Sequence, residues 1–434
     1  MYTGLSYGFH DAAICYIDDQ EILEAHHSER HSRIKNDKNL WPLFELKGKT
    51  VFYEKPFLKN LRRLYAGQKW KSRTKCDYYV SHHWSHAAAA YYTRPFTEEP
   101  VCVVIDAIGE WDTVSIWYNR KKVWSIKYPQ SLGLFYSAVT KSIGLKPMED
   151  EYITMGLAAY GNPIHKYDPW DSYHLGGHFQ GMIEEDIAAS AQKIVEQEIV
   201  KIMKQAQKYS DYLCYGGGVA LNCVANSAIH SMFKKIWILP NPGDAGSSLG
   251  AAAAINGKML NWTGPYLGTN IERDVNPKEV VDYLIKNAVC GIANGKAEFG
   301  PRSLGNRSLI ADPRLDIKDT VNDIKKRQRY RPFAPAILSE YADDYFEGPM
   351  NEYMQFVAKA KHDYEAVTHV DGTARVQVVT PECESILRPI LEEWYERTGC
   401  PILLNTSLNI KGEPIVDSLE DAIRWEQKYK VKVF

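Results

Sequence analysis

Short apolar blocks separated by glycine and acidic turns fill much of the first half of the chain, and most are the length of a strand. Residues 12–16 and 21–27 flank Asp18-Asp19 and predict a hairpin. Residues 101–106 form an apolar run ending in Asp106, followed by the turn Gly109-Glu110-Trp111-Asp112 and further strands over 113–118 and 123–128. From 184 to 208 the period changes. Ile187, Ala191, Ile194, Val195, Ile199 and Ile202 make one stripe, which predicts an amphipathic helix on a core. Residues 213–222 read as a strand entering Gly216-Gly217-Gly218 and then a helix; 236–239 read as a strand leading to Asp244, Gly246 and a helix of small residues. Strands running into glycine turns that carry Asp, seen twice with a helix behind, predict an α/β domain with two similar lobes around a nucleotide cleft. Segments 131–136 and 151–157 mix apolar residues with glycine, and pattern alone does not assign them.

A connection and a helix, punctuated by Pro265 and Pro277, cover 261–288. The composition then shifts, which divides the chain into domains at 1–270 and 271–434. The second domain shows strands over 290–294, 354–357, 375–379 and 402–404, a helix over 381–398 and a last helix with Ser418 as N-cap and Asp421 three later. Four of its loops, 295–308, 329–335, 368–375 and 404–409, set basic or amide residues beside Gly, Pro or small hydroxyls. Such loops suit a compact anion such as phosphate.

With 434 residues, 45% hydrophobic and 24% charged, the chain holds two or three domains with full cores. Its formal charge of −2 and lack of long single-sign runs give no reason to expect attraction to nucleic acid or to a membrane. No secretory leader or bilayer-length apolar stretch is seen, so a cytoplasmic protein is expected. The eight cysteines contain no CxxC pair and read as reduced, mostly buried side chains.

The chemistry centres on His82-His83-Trp84-Ser85-His86. His82 and His86 stand one turn apart at the start of an alanine-rich run, which puts two imidazoles on one helix face and makes half a metal site; a pair of packing histidines explains the same spacing. His83 occupies the place where a metalloprotease needs glutamate, so this is not a zincin. Asp106 before its glycine turn fits a phosphate or metal site, or a plain tight turn. The triple glycine lacks the Lys-Ser/Thr ending of a P-loop and the spacing of a dinucleotide fingerprint. Gly8-Phe9-His10-Asp11 and the charged turn 28–35 complete the candidate segments.

Taken together, the HHxSHA run at 82–87, the DxxGEW turn at 106–111, MGLAxYG, GGGVALN, GDAGSSLGAA, EFGPRSLGNRS, RPFAPAIL, HVDGTARVQ and LLNTSLNIKGEPIV resemble the NodU/CmcH family of O-carbamoyltransferases. The resemblance implies a TsaD-like domain of the actin/heat-shock-chaperone/sugar-kinase type followed by a YrdC-like α/β domain. It also implies two stages. Carbamoyl phosphate is broken down and the carbamate adenylated by ATP, with Mg(II), in the second domain; the carbamoyl group then passes to an acceptor hydroxyl in the first. His82, His86 and Asp244 match the family's ligands for iron(II), a set that also suits other divalent metals. His10 corresponds to a general base, titrating near about 6–7, and Lys35 to a cation for the leaving phosphate. Asp106, Gly109, Gly217, Gly218, Asn222 and Gly246 correspond to nucleotide contacts. Arg302 and Arg307 correspond to the adenylating centre, with Lys296, Arg331, Arg375, Asn405 and Ser407 around the carbamate and phosphate.

Ala107 stands where the family has glycine, and the chain is short between 161 and 212, where acceptor-shaping segments lie. The acceptor expected is a small hydroxyl compound: a sugar, a natural product or a hydroxymethylated nucleotide. A homodimer is among the assemblies allowed. Two rival readings are a tRNA threonylcarbamoyl transferase and a non-enzymatic, nucleotide-switched protein of the chaperone/actin class. The fused second half and the lack of a basic bias count against the first.

Overall fold

The computed structural model describes residues 1–71, 74–176, 179 and 183–434. They form two compact units, Met1–Ser28 with Lys38–Thr263, and Glu29–Asp37 with Gly264–Phe434.

The first unit contains two five-stranded sheets of the same design. In one, β1 (Tyr2–Ser6) pairs antiparallel with β2 (Ala13–Asp18), which pairs antiparallel with β3 (Glu21–His27). On its other edge β1 runs parallel to β4 (Lys49–Phe52), and β4 to β5 (Tyr78–Tyr79). The other sheet repeats this with β6 (Val101–Ile105), β7 (Asp112–Tyr118), β8 (Lys121–Lys127), β9 (Tyr212–Gly216) and β10 (Lys235–Ile238): β6, β7 and β8 are antiparallel, and β6, β9 and β10 parallel. The duplication matches the two similar lobes expected from sequence. It includes β1, which the apolar pattern did not isolate.

Every residue of β6 is buried, as in a central strand covered on both faces. The helices His82–Thr93 and Ser247–Asn256 lie against each other at very short range, since a Cβ on Gly250 would sit 1.8 Å from the Ser85 carbonyl oxygen. That contact explains the alanines after His86 and the small residues after Asp244: bulkier side chains would hold the two helices apart.

In the second unit β12 (Val289–Ala293), β14 (Arg307–Ala311), β20 (Ile402–Ser407) and β15 (Ala334–Leu338) are antiparallel, and β19 (Gln377–Val379) joins β15 in parallel. Two smaller sheets pair β11 (Tyr266–Ile271) with β13 (Gly295–Glu298), and β16 (Phe346–Glu347) with β17 (Ala358–Ala360) and β18 (Thr373–Ala374). The strand expected over 354–357 does not form. Met354 has φ +57°, outside the extended region, and pairing starts at Ala358. Of the strand expected over 375–379 only Gln377–Val379 (β19) forms, with β18 lying just ahead of the expected start, and the helix expected over 381–398 is Leu387–Thr398. Helix Pro277–Asn287 forms as expected, with β11 ahead of it. The last helix, Leu419–Tyr429, carries the full capping box between Ser418 and Asp421.

Candidate metal centre and anion-binding loops

The turn after β6 sets the start of the histidine helix. The Glu110 carboxylate accepts the His82 backbone N–H at 3.0 and 3.1 Å and the Lys55 backbone N–H at 2.8 Å, so an anion sits at the positive end of the helix dipole. His82 and His86 then present their Nε2 atoms 3.1 Å apart. Asp106, at the end of β6, brings Oδ2 to 3.0 Å from His82 Nε2 and 3.9 Å from His86 Nε2. Asp244, from the loop after β10, brings Oδ1 to 3.5 and 3.2 Å from the same two nitrogens. All four side chains are buried. Asp106, expected at the nucleotide, is thus the fourth member of the histidine–aspartate group; its Oδ1 accepts the Gly218 N–H at 2.9 Å.

This donor set fits a divalent cation. His86 Nδ1 lies 3.0 Å from the Pro242 carbonyl oxygen and donates to it, which leaves Nε2 as a lone pair. His82 Nε2 faces that lone pair and two carboxylate oxygens at once, and a single proton can satisfy only one of them. Ligands about 2.0–2.2 Å from a common metal stand about 3–3.5 Å from each other, the range of most of these separations. Without a cation, burial would push the His82 imidazole down, but Asp244 and Asp106 outweigh it and hold it up to about 9. Burial likewise acts to raise both aspartates, yet the histidines hold Asp106 and Asp244 below the ordinary carboxylate value.

His10 stands at the rim of this group. Its Nε2 is 4.0 Å from Asp244 Oδ2 and its Nδ1 2.9 Å from Asp11 Oδ2. Burial acts to lower it, but Asp11, Asp244 and Asp106 hold it up to about 9, not near the 6–7 expected from sequence. Positive charge at Asp244 and Asp106 would offset those carboxylates and bring it down, toward the range of a general base. His83 is buried, lies 2.7 Å from Ser115 Oγ and is held far below the ordinary histidine value by burial and by His82, which suits a neutral core residue. Tyr53 Oη and Ser247 Oγ are buried without a hydrogen-bond partner; the Tyr53 ring centroid is 5.2 Å from that of His82, and Ser247 follows Asp244 by three residues. Sequence gave no sign of either.

Several positions expected at a nucleotide serve the protein itself. Asn222 caps the helix Cys223–Ile229 through the Ala225 N–H and exchanges two side-chain bonds with Gln192. A Cβ on Gly109 would stand 3.0 Å from His83, and one on Gly246 1.8 Å from the Asn241 carbonyl oxygen. Gly217 has φ +92° and packs on Ile105, while Gly218 serves Asp106. Ala107 is outside the positive-φ region, so the missing family glycine causes no strain there.

Lys35 belongs to the second unit, where Glu29 Oε1 and Oε2 each accept from its Nζ at 2.9 Å. In the same unit Arg30 donates to the Gly300 carbonyl at 2.8 Å. Arg307 is fully buried and donates to the carbonyls of Thr269, Asn294, Gly295, Asn306 and Asp417, so its guanidinium ties the 295–308 loop to its surroundings. The buried Glu298 carboxylate accepts the N–H groups of Leu304, Asn306 and Arg307. Asn405 donates to Ser303 and Gln377, while its Oδ1 is left buried without a partner. Arg302, Arg331 and Arg375 are half-buried, with Arg375 Nε unpartnered, and Lys296 is exposed.

The residue that sequence missed here is Lys325. Its buried ammonium donates to the backbone and side-chain oxygens of Ser407 and Asn409, with no carboxylate partner among the described residues. Burial, then Arg327 and Arg331, push its pKa far down. Two arginines beside one buried lysine make a cluster that a bound anion would offset.

The family profile described as Carbamoyltransferase N-terminus matches residues 44–169 and 164–253, and Carbamoyltransferase C-terminus matches 281–434. An uncharacterised protein of Synechocystis sp. is 31% identical, over 97% of this chain and 93% of its own length. Nodulation protein NolNO of Sinorhizobium fredii is 34% identical over 80% of this chain, which spans 61% of that relative. The activator of a 2-hydroxyisocaproyl-CoA dehydratase from Clostridium difficile aligns at 16% identity over 59% of this chain and 94% of its own, with a TM-score of 0.38.

Proposed function

The chain belongs to the carbamoyltransferase family, and on that premise we propose that it is an ATP-dependent O-carbamoyltransferase acting on a small hydroxylated acceptor. The reading replaces a non-enzymatic switch. The observation that carries it is the convergence of His82, His86, Asp106 and Asp244 with His10 at their edge.

In this reading the second unit is YrdC-like and makes carbamoyl adenylate: water hydrolyses carbamoyl phosphate to carbamate and inorganic phosphate, and a carbamate oxygen then attacks the α-phosphorus of ATP and releases pyrophosphate. Lys325, Arg327 and Arg331, with Ser407 and Asn409, form its most strongly supported anion site, and Arg302, Arg375, Lys296 and Lys35 contribute positive charge. Arg307 acts by holding the 295–308 loop in shape, and Asn405 offers a free buried acceptor.

In the first unit the acceptor oxygen attacks the carbamoyl carbon, AMP departs, and His10 takes the acceptor proton. Asp11 orients the His10 ring through Nδ1 and leaves Nε2 facing the site. His82, His86, Asp106 and Asp244 would hold a divalent cation, iron(II) by the family resemblance, which supplies Lewis-acid charge when bound. Gly218 fixes the rotamer of Asp106, and Pro242 the tautomer of His86.

The test is pyrophosphate release from ATP with and without carbamoyl phosphate, followed by mass spectrometry of a panel of sugars, natural products and hydroxymethylated nucleotides for one added carbamoyl group. Release that requires carbamoyl phosphate is expected. Phosphate release without it would overturn the reading.

A further inference from the structure

The helix Pro56–Tyr65 is built inside out. Its buried side chains are Asn60 and Arg62, whereas Phe57, Leu58, Leu61 and Leu64 are 58, 37, 39 and 52% exposed. Their spacing places them along one face. Trp70, half-exposed, extends that face, with its ring 6.0 Å from that of Phe57.

The polar face anchors the surface. Asn60 donates to the Lys71 carbonyl at 3.0 Å and accepts the Lys71 N–H at 3.1 Å, and Arg63 Nε donates to the Lys69 carbonyl at 3.0 Å. The Arg62 guanidinium lies 5.9 Å from the Tyr128 ring. Residues 69–71 are therefore held beside the helix.

The same stretch is strongly basic. From 55 to 76 the chain has eight Lys and Arg and no Asp or Glu. Glu54 pairs with Lys59 at 2.7 Å, and Arg62 is buried. Lys55, Lys69, Lys71 and Lys75 are exposed. The Lys71 ammonium is pushed below its ordinary value by desolvation and then by Arg63, Lys59 and Lys38, which marks a cluster of like charge.

We infer that this surface docks on an anionic lipid bilayer, with the apolar face of helix Pro56–Tyr65 and Trp70 in the headgroup boundary and the flanking lysines against acidic headgroups. An exposed leucine and aromatic face ringed by cations is the pattern of a helix lying in the interface plane. A second copy of the chain is a poor occupant, because it would set one basic cluster against another. Nucleic acid has no use for an aliphatic face. The helix is far too short to cross a bilayer, so the contact is peripheral.

Flotation of the full chain with vesicles of phosphatidylcholine, alone or mixed with phosphatidylglycerol, tests this. The protein is expected on the mixed vesicles only, and to come off as salt rises from about 0.1 to 1 M and the Debye length falls from about 10 to 3 Å. Leu61→Asp with Leu64→Asp, and separately Lys69→Glu with Lys71→Glu, should each lower the bound fraction about tenfold or more at unchanged circular dichroism. Absence of wild-type protein from the mixed vesicles, or flotation unchanged in both variants, overturns the inference. So does a solution dimer that Leu61→Asp with Leu64→Asp dissociates, or binding to single-stranded DNA in place of vesicles.

Discussion

Asp106 decides how the metal group is tested at the level of single residues. If four side chains hold the ion, Asp106→Ala should lower bound divalent metal as His82→Ala and Asp244→Ala do, measured by elemental analysis of purified protein. Loss of one buried charged ligand is expected to weaken metal binding about ten- to a hundredfold. Full metal occupancy in Asp106→Ala would restrict the set to three. The histidines also make stability depend on pH. His10 and His82 have folded values of about 9, above the ordinary 6.5, so the folded state holds the extra proton. Their contribution is complete below about 6.5 and is lost as pH rises through about 9. Chelator-treated protein should therefore show a melting temperature that falls across that window, and divalent metal should flatten the fall by taking the proton's place. An identical slope with and without metal would count against the assignment.

Among the elements, the junction of β6 and β9 is tightly constrained. Gly217 has φ +92°, and a Cβ there would stand 2.2 Å from the Ile105 carbonyl oxygen, next to Asp106. Gly217→Ala should cost about 2 kcal/mol or more, read from chemical denaturation, and should reduce metal with it by displacing Asp106. Ser418→Ala, which removes only a helix cap in the second unit, should cost about 1 kcal/mol and leave metal unchanged. The contrast separates a helix start that merely stabilises from a strand end that places a ligand. The inverted helix Pro56–Tyr65 belongs to this scale too. Its apolar period was present in the letters, but the period does not say which face is buried.

For the whole molecule, the two units divide the proposed chemistry. Asp106→Ala should keep carbamoyl-phosphate-dependent pyrophosphate release while losing transfer to the acceptor, whereas Lys325→Met should lose the release itself. Both changes acting on the same step would argue against the division. Among the described residues no helix is long and apolar enough to cross a membrane. The net charge of −2 conceals the basic stretch at 55–76, because a sum over the chain says nothing of where the charges gather.

Periodicity alone revealed the β2–β3 hairpin, the strands of the second lobe, the long helix Glu184–Ala206 and the His82/His86 face, because each depends on neighbours two to four residues away. The capping box at Ser418 was legible for the same reason. Tertiary structure decided what depends on residues far apart in the chain. It brought Asp106 beside His82 and set Gly250 against Ser85. It gave Arg307 to backbone carbonyls and closed Ser407 and Asn409 around Lys325. It also set the carboxylates that hold His10 up to about 9. Burial and charge act through space, and a run of letters carries only the local part of either.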